Sequence, residues 1–275
     1  MKTLKYLIES LFIKLFFLIF KIIGYKKASN LGASIGSIVG PLFRSKNLVK
    51  KNIQYAFPNL TDDEMQKFIK KMWANYGRIF SEYMYIQKFR RKELEKYLNI
   101  NGIKTLEKIK KDGKPVVFIS GHFNNFELMA MQLELYGIQL AAVYRPLNNF
   151  FLNRTMENLR KNYICKNQIK KGLGGVREII KAFSQNTSVA LMIDQRVTEG
   201  IKSSFFQKEA FTTTIPAQLV KKFSCPVVSI YIERIGGHNF KMIIDKPIYF
   251  SKDKSTEDIT QYLNYLLEKM ILRNP

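Results

Sequence analysis

Acidic residues are scarce in this chain: 22 Asp and Glu stand against 45 Lys and Arg, a formal net charge of +23. Much of the excess is lysine, in a chain also rich in Ile, Asn and Phe, so part of it is compositional bias. The rest suits an anionic partner, which means a membrane surface, an acidic carrier protein or a nucleic acid. Cysteine and histidine are scarcer still, with two of each. Cys165 and Cys225 have neither metal-ligand spacing nor the even framework of a disulfide scaffold, which fits a reducing compartment. No repeat, no low-complexity tract and no recognised nucleic-acid-binding motif is present. What remains is a chain of 275 residues, enough for one α/β domain with a full core and small additions.

Residues 4 to 24 are strongly apolar, with Leu11-Phe12-Ile13 and Leu15 to Phe20 parted only by Lys14. The length suits a membrane-anchoring helix. Lys14 falls close to the face of Lys21, so a spanning helix and an interfacial one that snorkels its lysines are both open. A signal peptide is disfavoured, because no small-residue cleavage site follows. Ala28 to Phe43 is a second uncharged stretch, with Gly32, Gly36 and Gly40 at every fourth position. It reads as a close-packed helix, or as a second membrane-contacting segment. Asn47 to Ala56 and Thr61 to Tyr85 read as helices, the second opened by a capping box at Thr61 and Glu64. In that helix Met65, Phe68, Ile69, Met72, Trp73 and Tyr76 follow helical spacing and are expected in the core. Beyond it, short β-branched runs alternate with helical patterns: Pro115 to Ser120, Gln139 to Tyr144, Val189 to Ile193, Val227 to Ile232 and Phe240 to Ile244 read as strands. This pattern predicts an α/β fold, a mixed sheet flanked by helices. The expected organisation is an anchoring helix over 1–24 and a main domain over 25–275, helical through 28–100 and α/β through 101–275.

The chemistry concentrates at Gly121-His122-Phe123-Asn124-Asn125-Phe126-Glu127. His122 stands where a strand ends and a helix begins, the usual place for a site in an open α/β sheet. The spacing puts Glu127 within reach of the imidazole, and a histidine held by a carboxylate is a competent general base. No serine or cysteine nucleophile accompanies the pair, so the simplest role is to activate a substrate hydroxyl. Backbone amides at the start of the following helix are candidates to receive an oxyanion. Arg145, in Tyr144-Arg145-Pro146, follows the next strand and reads as a phosphate clamp or as a structural ion pair. Lys170 to Arg177 is a basic, glycine-rich loop that lacks the P-loop order; a plain linker turn is its simplest reading. Arg160 and Arg177 are candidates for phosphate contact. Asp194-Gln195 closes a further strand at the same sheet edge. His238 reads as a hairpin-turn residue without a role.

The segment from Gly121 to Glu127 resembles the H-x4-D/E motif of the late acyltransferases of lipid A biosynthesis. The resemblance continues through Tyr144-Arg145-Pro146, Asp194-Gln195, and Gly200 followed by Phe205-Phe206, Ala210 and Thr212. It implies a glycerolipid-acyltransferase-like fold at the cytoplasmic face of a bacterial inner membrane. It implies a fatty acyl thioester on acyl carrier protein as co-substrate, and a hydroxyl of a lipid A precursor, a glycolipid, as acceptor. His122 and Glu127 would then be the general-base pair. Arg145, Arg160, Arg177, Asp194 and Gln195 would contact or support substrate. No cofactor, metal or nucleic acid is called for. A glycerolipid or other glycolipid acyltransferase would use the same motif; a basic, membrane-anchored nucleic-acid-binding protein is the reading from a different class. Gln207 and Glu209 depart from the family pattern, which usually has Gly and Pro after the paired Phe.

Overall fold

The computed structural model describes residues 2–274. Five helices precede the first strand: α1 (Lys2–Ile23), α2 (Tyr25–Val39), α3 (Lys46–Ala56), α4 (Asp62–Glu82) and α5 (Ile86–Arg90). The α/β part runs β1 (Leu98–Asn101), α6 (Ile103–Asp112), β2 (Val117–Ser120), α7 (Glu127–Leu135), β3 (Leu140–Tyr144), α8 (Phe150–Tyr163) and β4 (Asn167–Lys170). It continues with α9 (Leu173–Ser184), β5 (Ser188–Met192), β6 (Ile201–Phe205), β7 (Lys208–Thr212) and α10 (Ile215–Phe223). It closes with β8 (Val227–Ile235), β9 (Asn239–Ile244) and α11 (Thr256–Arg273).

Seven strands form one mixed sheet in the order β1-β9-β8-β2-β5-β3-β4, and β6 pairs with β7 as a separate hairpin. Only the β8–β9 pairing in the large sheet is antiparallel. Strand alternation divides the interior into two layers. Phe118, Val228 and Ile230 face a core shared with α1, α5 and α7, whereas Val117, Ile119 and Val227 face one shared with α9, α10 and α11. The expected mixed sheet with helices on its faces is what forms.

The helices before the sheet bear on the two readings left open for the first helix. Among the described residues, no helix is long and apolar enough to cross a membrane. α1 also packs on the main domain, with Phe17 and Phe20 buried in its core. The Tyr85 hydroxyl donates to the Phe20 carbonyl in the last turn of α1, one of the acceptors that a helix end leaves open. The opposite face of α1 stays bare: Leu11, Phe12, Leu15, Leu18 and Ile22 are each more than half exposed. Lysine interrupts this face, with Lys14 and Lys21 both exposed.

The glycines of α2 serve close packing. A Cβ on Gly77 of α4 would lie 2.0 Å from the Gly32 carbonyl oxygen, and one on Gly36 2.4 Å from that of Trp73. Only hydrogen allows the two backbones this approach. The capping box at Thr61 and Glu64 forms as expected. Of the apolar positions in α4, Met65 and Trp73 are buried, but Tyr76 is exposed and Phe68 and Met72 are half-buried, facing a groove described below. Helical spacing shows which face is apolar, and here that face extends past the packed core.

Candidate active site

Three neighbouring parallel strands, β2, β5 and β3, end at one edge of the sheet. His122 follows β2, Asp194 follows β5 and Arg145 follows β3. The β2–β5 register pairs Ser120 with Met192, so two further residues along each strand bring His122 and Asp194 opposite one another. The Asp194 carboxylate grips this one residue twice. Oδ1 lies 2.7 Å from His122 Nδ1, and Oδ2 accepts from the His122 backbone N–H at 2.9 Å. A carboxylate on Nδ1 fixes the tautomer that carries its proton there and leaves Nε2 as the acceptor. The Phe126 ring meets the imidazole edge-on at 4.8 Å and limits its rotation.

Glu127 is not the partner of His122, as the sequence reading had it. Its Oε1 accepts from Arg160 Nε at 2.8 Å, from Arg160 Nη2 at 2.7 Å and from the Tyr83 hydroxyl at 2.6 Å. The reason is local geometry. α7 begins only at Glu127, and the chain from His122 reaches it through a loop in which Asn124 takes a φ of +44°. The spacing therefore does not place the two side chains on one helical face. Burial works against the Arg160 charge, but the Glu127 carboxylate and Tyr83 outweigh it and hold the guanidinium above its ordinary range. Burial, and then the Glu127 charge, push the Tyr83 hydroxyl well above the phenol range, so it stays a donor.

His122, Glu127, Arg145 and Arg160 line one cavity of about 390 Å³, with Gln168, Lys171 and Gln195. Arg177, on α9, is not among its lining residues, and the phosphate role expected of it has no support in the geometry. His122 thus lines one cavity with the charged Arg160, and Asp194 on Nδ1 leaves Nε2 without a partner in the hydrogen bonds described. A histidine and a cation so placed are chemically able to take a proton from a hydroxyl and to stabilise a developing oxyanion. The His122 amide is engaged by Asp194, which removes it from the amides expected to receive that charge. A second, more apolar groove of about 610 Å³ lies on the other side of Asp194, lined by Phe57, Phe68, Met72 and Phe206.

Residues the sequence did not single out hold the catalytic loop. Asn124 Nδ2 donates to the Ile232 carbonyl at 3.0 Å, and Asn125 Nδ2 to Glu82 Oε2 at 3.1 Å. Glu82 is fully buried and forms two parallel hydrogen bonds with Arg234, at 2.7 and 3.0 Å. It also accepts from Ser29 of α2 at 2.8 Å. The helices before the sheet and the loop that carries His122 therefore share one buried ion pair. His238, as expected, sits in the β8–β9 turn.

The whole sequence, residues 1–275, matches the model of the bacterial lipid A biosynthesis acyltransferases. The chain belongs to that family. It is an acyltransferase, and lipid A biosynthesis is the setting of its family. Over 253 residues it is 23% identical to a lipid A biosynthesis palmitoleoyltransferase of Escherichia coli, covering 89% of this chain and 80% of that one. Over 262 residues it is 23% identical to a lipid A biosynthesis lauroyltransferase of the same organism, covering 91% and 82%. Among solved structures, the 1-acyl-sn-glycerophosphate acyltransferase PlsC of Thermotoga maritima aligns over 97% of both chains at 14% identity, with a TM-score of 0.43. The acyltransferase carries His122, Asp194 and Arg145 at one edge of its sheet, with Arg160 lining the same cavity as His122.

Proposed function

We propose that this enzyme moves a fatty acyl chain from a thioester on acyl carrier protein to a hydroxyl of a lipid A precursor, working at a membrane surface. The observation that carries the reading is the double grip of Asp194 on His122, which leaves Nε2 facing a cavity that also receives Arg160. The acceptor hydroxyl gives its proton to Nε2 as its oxygen attacks the thioester carbonyl. Asp194 stabilises the imidazolium that forms. Arg160, held charged by Glu127 and Tyr83, sets a positive potential for the oxyanion of the tetrahedral intermediate. Collapse of that intermediate breaks the C–S bond, and the imidazolium returns the proton to the departing thiolate. The products are an ester and a free thiol, with no covalent enzyme intermediate. Arg145 and Lys171, exposed at the mouth, suit a phosphorylated acceptor. The basic surface suits an acidic carrier, and the bare face of α1 suits the lipid phase.

The test is acyl transfer by the purified protein, from acyl carrier protein thioesters to a lipid A precursor and, in parallel, to a lysophosphatidic acid. Mass spectrometry should find the lipid A precursor heavier by one acyl chain. Product on lysophosphatidic acid alone would replace this reading with the glycerolipid one.

A further inference from the structure

β2 is shorter than the strand beside it. Its register against β8 ends with Ile119 opposite Ser229, whereas β8 runs on to Ile235. Beyond Ser229, β8 keeps β9 on one side, and among the described residues no strand continues on the side of β2. The carbonyls of such an overhang need donors from elsewhere. Two come from side chains of the loop that carries His122. The Ser120 hydroxyl donates to the Ile230 carbonyl at 2.6 Å, and Asn124 Nδ2 donates to the Ile232 carbonyl at 3.0 Å. Asn125 follows, and its Nδ2 donates to Glu82, which pairs with the Arg234 side chain. Ile230, Ile232 and Arg234 lie two residues apart, so the loop is held at three evenly spaced stations along β8. On its other side the same loop is gripped from β5, where Asp194 takes the ring and the amide of His122. Between the two, His122 is the centre of a γ-turn closed by the Phe123 N–H and the Gly121 carbonyl at 2.8 Å. Asn124 has a φ of +44°, in the left-handed region that asparagine enters more readily than most residues. Backbone of this kind persists where its surroundings over-determine it.

We propose that Asn124 and Asn125 are positioning residues, which anchor the loop to the overhang of β8 and so set the place of His122 against Asp194. The inference rests on the reading of His122 as the base and adds what holds it there. A grip from β5 alone would tie His122 to Asp194 but leave the rest of the loop free to shift along the sheet edge. The anchors on β8 remove that freedom from the opposite side. A shift of about 1 Å in a reacting group costs on the order of 100-fold in rate, so the two amides matter to turnover without touching substrate. Glu82 also accepts from Ser29 of α2, which links the packing of the helices before the sheet to the same loop.

The experiment uses Asn124→Gly and Asn125→Ala in the full chain, with two readouts. Glycine keeps the left-handed backbone and removes only the donor, so Asn124→Gly should fold and melt close to the parent. Steady-state acyl transfer gives kcat and Km, and NMR follows the His122 Nδ1 proton, which a carboxylate partner holds at low field and shields from exchange. His122→Ala assigns that resonance. Asn124→Gly should lower kcat roughly 10- to 100-fold while Km for both substrates stays within about 2-fold, and the resonance should weaken or vanish. Asn125→Ala should do the same at a larger cost in melting temperature, since Glu82 loses a donor in a buried place. An intact resonance in folded Asn124→Gly would overturn the inference, whatever the rate, and so would a change confined to Km. A lost resonance with parent-like turnover would leave the anchoring standing and count instead against His122 as the base.

Discussion

At the scale of single residues, His122, Asp194 and Glu127 separate into two roles that three substitutions distinguish. His122→Ala removes the base and should lower acyl transfer at least ~100-fold with folding retained, as read by turnover and thermal melting. Asp194→Asn keeps the shape but removes the charge that stabilises the imidazolium and allows the wrong tautomer. It should reduce kcat sharply with little change in the Km for acceptor, since the lost interaction strengthens only in the transition state. Glu127→Gln acts elsewhere: it leaves Arg160 buried without a full counter-charge, so lower thermal stability should accompany any loss of rate. Equal kinetics and stability for the Asp194 and Glu127 variants would contradict this division. The two thiols give a pH-dependent check on packing. Burial pushes both Cys165 and Cys225 from 9.0 up to about 12. A folded-state pKa above the unfolded one adds stability that is complete below pH ~9 and is lost as pH rises through 9 towards 12. Both should resist alkylation in native protein at pH 8 and react at once in denaturant.

At the scale of elements, the ion pair of Glu82 and Arg234 joins α4 to β8, while Asn125 and Ser29 bring in the catalytic loop and α2. Glu82 is fully buried and Arg234 partly so, and removal of one leaves the other charge without compensation. Glu82→Ala should therefore cost about 3–5 kcal/mol in denaturant unfolding, well beyond an ordinary surface change. The hairpin of β6 and β7 shows a different balance. Its turn residues, Phe206 and Gln207, both have positive φ, at +47° and +59°, in a two-residue connection that ordinarily uses Asn-Gly. The departure from Gly that the sequence displays thus leaves a tight turn standing at some local strain. The Phe206 amide is held by Glu268 of α11 at 2.7 Å, which compensates through a contact distant in sequence.

At the scale of the whole molecule, the net charge of +23 and the bare face of α1 both suit the proposed membrane surface. If the enzyme binds membranes through both, vesicles containing anionic lipid should carry it down on sedimentation. Salt at 1 M should release only part of it, since screening removes the electrostatic share and leaves apolar insertion. Complete release would confine binding to charge alone. Much of this architecture was legible in the sequence. Local signals such as the capping box at Thr61 and the β-branched runs at Val117 and Val189 mark their elements because the interactions that define them lie within a few residues. His122 was legible too, because a strand end before a helix is a local pattern. Its partner was not. Asp194 reaches His122 only because β5 lies beside β2, although β3 and β4 come between them in the chain. The same sheet order pairs Ala142 with Ala190, and both line the cavity beside His122. Sequence by itself determined which residues could take part in catalysis, through residue chemistry and local pattern. Strand order and register decided which of them meet, because hydrogen bonding between strands distant in the chain sets distances that no spacing along it records.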